Sequence, residues 1–298
     1  MTGATSQADT SLVVDLLLRW IRPLVDEKGQ RWLEEKRQQI EEGAPDRVFF
    51  TAFSAVPRYT GKADLNLSAD DEREADRVRS GWHPQGWSVD QAARTLLVLA
   101  IPPGDADAYV KKLDRLFSAA DVGEQVALYQ SLPLLPYPER FVPRAEEGLR
   151  SSIDAVFNAV ALENPFPADY FDEQAWNQLV LKAVFVGSPL HRIAGLDWRA
   201  NPKLARMLLD YVHERWAASR TFTPELWRLV GPFSDQRGIQ DLERALASDD
   251  PLHRQAAALA LSHARVPGAS DVLATQPELL QRIERGELTW ESLSRSVG

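Results

Sequence analysis

A chain of 298 residues with 44% hydrophobic content is long enough to bury one large core or two ordinary ones. Its net charge of −9, from 43 Asp and Glu against 34 Lys and Arg, argues against a nucleic-acid partner, whose phosphate backbone asks for clustered positive charge. The lack of cysteine excludes disulfides, thiolate metal sites, iron–sulfur ligation and cysteine nucleophiles, and fits a reducing cytoplasm.

Residues 1–10 are small and polar and read as a disordered tail, without the basic start and apolar run of a signal peptide; Asp15 interrupts the apolar stretch that follows. No segment approaches the roughly 18–20 apolar residues of a membrane span, so a soluble cytoplasmic protein with no transmembrane segment is expected. Residues 11–132 form an N-terminal helical part. Leu12, Val13, Leu16, Leu17, Trp20, Ile21 and Leu24 recur at the spacing of one helix face. A second helix is expected from Gln30 to Glu42, stopping at Gly43, and a third from Asp46 to Ala55, ended by Pro57. The charge run Asp70 to Arg79 reads as a solvated helix, and Trp82 and Trp87 as a satellite cluster under their loop. Ser88 caps a helix that Pro102 and Pro103 stop after Ile101, and two more follow at 105–119 and 121–132.

Pro133, Pro136, Pro138 and Pro143 then mark a soft boundary, after which residues 133–298 form a C-terminal helical-repeat part, the whole being one continuous fold. Pro143 to Glu163 reads as one amphipathic helix with Leu149, Ile153, Val156, Phe157 and Val160 inward. Asp172 to Gly187 is apolar almost all round, which predicts a central helix. Asn201 caps the next, with Pro202 in its first turn, running to about Ser219. Ile239 to Ala247 and Leu252 to Ala264 predict a helical hairpin whose alanine-rich second helix resembles armadillo and HEAT-like repeats. No strand-period segment of useful length occurs. The fold expected is all-α, an irregular helical array with α-α hairpins.

Phosphate loops, dinucleotide fingerprints and nucleophile elbows are absent from the sequence. His213-Glu214 begins an H-E-x-x-H zinc motif, but Ala217 stands where the second histidine belongs. No cofactor and no metal are expected. Three features carry candidate chemistry. Lys182 is the only charged residue between Leu179 and Gly187, a position that would depress an amine's pKa and suit a base, unless its stem snorkels or it meets a carboxylate. Arg206, Asp210, His213 and Glu214 share one helix face, where Asp210 with His213 would form an acid–base pair or half a metal site, against the plainer reading of a solvated face. Leu204, Met207, Leu208, Tyr211 and Val212 account for the packing face of that helix.

The third feature is the loop Ser188 to Asn201, with His191, Arg192, Asp197, Arg199 and Asn201. Together with Asn177 on the helix before it and Asn158 on an earlier one, these side chains would line a concave ligand site; caps and salt bridges are the alternative. Trp176, Trp198, Trp216 and Trp227 read as core packing.

The same stretch carries a family resemblance. The strings Tyr137-Pro138-Glu139-Arg140-Phe141, Asn164 to Tyr170, Ala175-Trp176-Asn177-Gln178, Leu181-Lys182-Ala183, Pro189 to Asn201, His213 to Ala218 and Glu225-Leu226-Trp227-Arg228 resemble the EboA family over most of residues 88–265. The resemblance implies a metabolite-traffic protein of the ebo gene cluster, which also encodes a membrane-bound prenyltransferase, and so a role in making or moving a small, prenylated, cyclitol-derived metabolite. It implies partners among that metabolite and the other cluster proteins, and supplies no catalytic residues. Two functions follow: an accessory protein that binds the metabolite or scaffolds the pathway enzymes, and alternatively an all-α enzyme using Asp210, His213 and Lys182.

Overall fold

The computed structural model describes residues 9–297. The tail expected over 1–10 therefore lies outside the described residues except at its end, where Asp9 caps the first helix and Thr10 begins it. Eighteen α-helices and no strand occur among the described residues, so the fold is all-α. The chain divides into two compact units, up to Phe171 and from Asp172 onward.

The first unit contains α1 (Thr10–Ile21), α2 (Glu27–Glu41), α3 (Asp46–Thr60), α4 (Ala69–Val78), α5 (Val89–Leu99), α6 (Ala106–Ala119), α7 (Val122–Ser131), α8 (Val142–Arg150), α9 (Asp154–Ala161) and α10 (Phe166–Tyr170). Aspartate carboxylates at the starts of α1, α2, α6 and α7 accept from first-turn amides, which otherwise have no intrahelical partner. Helix α5 is the buried centre: Val89, Ala92, Ala93, Leu96, Leu97 and Val98 are fully enclosed, with α1, α3 and α7 packed around them. Trp82 and Trp87 are buried in a cluster with Trp20, at ring separations of 5.8 Å.

Two boundaries differ from the sequence reading. Helix α3 runs through Pro57 to Thr60 rather than stopping before it. Proline removes one N–H and so leaves the carbonyl of Phe53 without its helical donor. That carbonyl instead accepts from Arg94 Nε at 3.2 Å, which makes the uninterrupted helix affordable in a buried setting. The helix expected over 143–163 is two helices, broken at 151–153, where Ser151 Oγ accepts from the amide of Ile153. Ile153, expected inward, is 43% exposed. The bend has a packing cause: a Cβ on Gly148 would stand 2.8 Å from both the Tyr129 ring and the Val160 side chain. In a straight helix residues 148 and 160 would lie about 18 Å apart, so Val160 reaches Gly148 only because the chain folds back.

The second unit contains α11 (Glu173–Val186), α12 (Pro202–Ala217), α13 (Trp227–Val230), α14 (Gln236–Leu246), α15 (Pro251–His263), α16 (Ala269–Ala274), α17 (Pro277–Glu284) and α18 (Trp290–Val297). The expected hairpin is α14 and α15, and its alanines have a visible use. Ala256, Ala257, Ala258 and Ala260 are fully buried, and a Cβ on Gly231 would lie 2.5 Å from the Ala260 carbonyl oxygen. Backbone meets backbone there, which only small residues permit. Helix α11 is not central as its composition predicts. It buries Trp176, Asn177, Leu179, Val180, Ala183 and Val184 and leaves Phe185 74% exposed.

Candidate functional site

The exposed side of α11 and the adjoining side of α12 bound a groove of about 520 Å³. Gln178, Leu181, Lys182 and Phe185 come from α11, and Met207, Asp210, Tyr211 and Glu214 from α12. Each set has the spacing i, i+3, i+4, i+7, so each is one continuous helix stripe. The volume falls in the range of small-molecule sites, roughly 300–1,000 Å³. The lining is of two kinds: Leu181, Phe185, Met207 and the Tyr211 ring are apolar, whereas Gln178, Lys182, Asp210 and Glu214 bring an amide, an amine and two carboxylates. Met207 and Tyr211 are half-buried in this wall rather than packed in the core, which takes Leu204, Leu208 and Val212.

Lys182, Asp210 and Glu214 are thus brought together. The other sequence candidates are used elsewhere. His213 leaves the stripe, and its Nε2 lies 2.9 Å from Asp241 Oδ2 on α14, so the expected Asp210–His213 pair does not form. The reason is angular: at 100° per residue Asp210 is already the edge of the stripe formed with Met207, Tyr211 and Glu214, and His213 stands about 60° beyond that edge, where it faces a different neighbour. Asn177, 1% exposed, exchanges amide hydrogen bonds with Asn201, whose Oδ1 also accepts from Leu204 N to cap α12. Asp197 accepts from Nε and one terminal nitrogen of the Arg228 guanidinium, one on each carboxylate oxygen. Arg199 lies over the Trp176 ring at 5.0 Å and the Trp198 ring at 5.8 Å, a cation–π arrangement, and donates to the Asp172 carbonyl. Trp198, expected in the core, is 66% exposed. Arg192 and Arg206 are exposed and do not line the groove, and Asn158 is half-buried on α9 in the first unit. Among the described residues no three His, Asp or Glu side chains could together hold a metal ion.

Glu225 is the residue that sequence reasoning missed. It is 3% exposed and accepts from the amides of Leu190 and His191, from His191 Nδ1 at 2.7 Å and from Ser294 Oγ at 3.1 Å. His191 is therefore held in one orientation by a buried carboxylate. A glutamate between Pro224 and Leu226, in an apolar and aromatic context, was the available signal.

One histidine of this unit gives a pH prediction. His253 packs against the Phe222 ring at 4.7 Å, and Trp227 Nε1 donates to its Nδ1 at 3.4 Å. Burial, the largest influence, holds its pKa below the ordinary value of 6.5, outweighing Asp250. A proton on Nδ1 would also oppose one donor to another. Because the folded pKa is depressed, the stabilisation is present above about pH 6.5 and is lost as pH falls through the folded pKa. The unfolding midpoint should fall between pH 7 and pH 5, and His253→Gln should flatten that fall; an unchanged slope in the variant would assign the titration to another group.

Residues 13–231 match a family model described as metabolite traffic protein EboA, a span that includes both groove helices and ends before α14. No curated protein and no solved structure matches the chain.

Proposed function

The chain belongs to the EboA family, and on that premise we propose that it binds an amphipathic metabolite in the α11–α12 groove. The carrying observation is the two-sided lining: an apolar strip of Leu181, Phe185, Met207 and Tyr211 beside Gln178, Lys182, Asp210 and Glu214. The strip suits a hydrocarbon chain, at roughly 25 cal/mol per Å² of apolar surface withdrawn from water. The polar groups suit hydroxyls, since they offer both donors and acceptors. A prenylated, cyclitol-derived compound of an ebo-type pathway has that division, and an accessory protein that holds it for the other cluster proteins, the membrane prenyltransferase among them, is the role proposed. No helix among the described residues is long and apolar enough to cross a membrane, so contact with such an enzyme would be made from a surface.

Binding is favoured over catalysis because the acid–base set Asp210, His213 and Lys182 is not gathered at the groove: His213 belongs to Asp241. The test is native mass spectrometry of the chain purified gently from its own cells. A retained small-molecule mass is expected, reduced at least tenfold in Phe185→Ser and in Asp210→Ala, both exposed changes that should leave the melting temperature within about 2 °C. Undiminished retention in both variants would remove the groove from the account. Turnover of the retained compound that survives His213→Ala but not Lys182→Ala would replace binding by catalysis.

A further inference from the structure

A second groove lies in the first unit, between the antiparallel helices α2 and α3. The two backbones nearly touch at one end, where a Cβ on Gly29 would stand 2.2 Å from the Tyr59 carbonyl oxygen. One turn along α2, the Trp32 indole stacks on the Tyr59 ring at 4.0 Å and 5°. This pair lines a space of about 360 Å³, to which α3 also contributes Val48, Ala52 and Ala55. The small residues Ala52 and Ala55 on α3 leave room that neighbouring side chains do not fill.

The charged groups of that lining are both cations, Lys36 and Arg47, in a chain of net charge −9. Lys36 Nζ lies 3.3 Å from the exposed Glu35 carboxylate and 3.0 Å from Gln39 Oε1. Arg47 is exposed, and the carboxylate beside it in sequence, Asp46, is already engaged by Lys112 and Arg115. Gln39 and Thr51 add an amide and a hydroxyl to the wall. We propose that this groove is a second binding site, taking a small aromatic anion: the ring against the indole and the two alanines, the carboxylate or phosphate between Lys36 and Arg47. Arginine suits the planar multidentate end of such an anion and lysine serves as a point charge. The site is separate from the α11–α12 groove and stands or falls independently of it.

Phenyl phosphate titrated into the intact chain tests this, read by the side-chain indole N–H resonances. One of them should shift, the resonance that Trp32→Phe deletes, with Kd on the order of 1 mM for a fragment of this size. Lys36→Gln, at a half-buried position, and Arg47→Gln, at an exposed one, should each weaken binding about tenfold, and added salt should weaken it further. Inorganic phosphate and benzyl alcohol should each bind at least tenfold more weakly than phenyl phosphate. Equal binding of benzyl alcohol, or phenyl phosphate affinity untouched by both charge variants, would overturn the anion reading. Shifts confined to indoles other than Trp32 would overturn the site.

Discussion

Replacing Arg94 by alanine should cost the first unit about 3–5 kcal/mol, the range for stripping one partner from a buried ion pair. Arg94 is 3% exposed in the middle of α5, and Asp90, one turn earlier, is 5% exposed. The guanidinium meets Asp90 Oδ2 at 2.5 Å, caps the Phe53 carbonyl that Pro57 leaves free, and lies 5.5 Å from the Phe53 ring centre. Alanine would leave a buried carboxylate whose other side-chain partner is Ser88 Oγ, together with an unpaired carbonyl. For a unit of this size the loss corresponds to a fall of roughly 10–15 °C in melting temperature. The double change Arg94→Met with Asp90→Leu should melt above Arg94→Ala, because it removes both charges and keeps apolar volume. Calorimetry of the three proteins checks this; a single variant within about 2 °C of the parent would mean that the pair does not hold α3 on α5.

The same residue shows where reading a sequence stops. Apolar spacing identifies α1, whose Val13, Leu16, Leu17, Trp20 and Ile21 are buried while Leu12 and Leu24 of the same expected face are exposed, because a helix face is a local property of the chain. Pro57 is locally a stop signal, and only a donor 41 residues beyond Phe53 cancels it. The break between α8 and α9 is likewise supported from a distance, by Val160 packing back against Gly148, beside the local bond from the Ile153 amide to Ser151 Oγ. Periodicity reports which face of a helix is apolar, but not which neighbour that face meets.

The groove was half legible for the same reason. Lys182 was found because a charge on an apolar helix is a local anomaly, and Asp210 and Glu214 because they share a stripe. Met207 and Tyr211 were assigned to the core since apolar side chains usually go there, and Phe185 drew no notice for the same reason. Yet the pattern i, i+3, i+4, i+7 with mixed polarity occurs on both helices, which is what two walls of an amphipathic groove require. His213 was assigned to Asp210 by proximity in sequence, whereas its partner Asp241 lies 28 residues away. Local spacing finds charged residues of both walls and adds a histidine that belongs elsewhere, as expected where tertiary neighbours decide.

Glu225→Ala should be the most damaging single change in the second unit. Its carboxylate takes the amides of Leu190 and His191 at 3.0 and 3.1 Å, the His191 ring at 2.7 Å and the Ser294 hydroxyl at 3.1 Å, and so ties the turn at 190–192 and helix α18 to the turn at 224–226. Alanine leaves two amide donors of a largely buried cluster without their acceptor, at about 1–3 kcal/mol each before relaxation, while the Ser294 hydroxyl keeps the Trp290 carbonyl at 2.8 Å, so a total of about 3–5 kcal/mol is expected. Glutamine is no rescue, because its amide N–H₂ must face one of the backbone donors. His191→Ala and Ser294→Ala each remove one bond and leave the two backbone bonds intact, so each should cost about 1–2 kcal/mol. The expected order of melting temperatures is Ser294→Ala and His191→Ala highest, then Glu225→Gln, then Glu225→Ala. Hydrogen exchange at the Leu190 and His191 amides gives the local reading: both should exchange faster in Glu225→Ala and stay protected in Ser294→Ala. If Glu225→Ala leaves those amides protected, the carboxylate is not what fixes the turn. The orientation of His191 would then be set by its own packing.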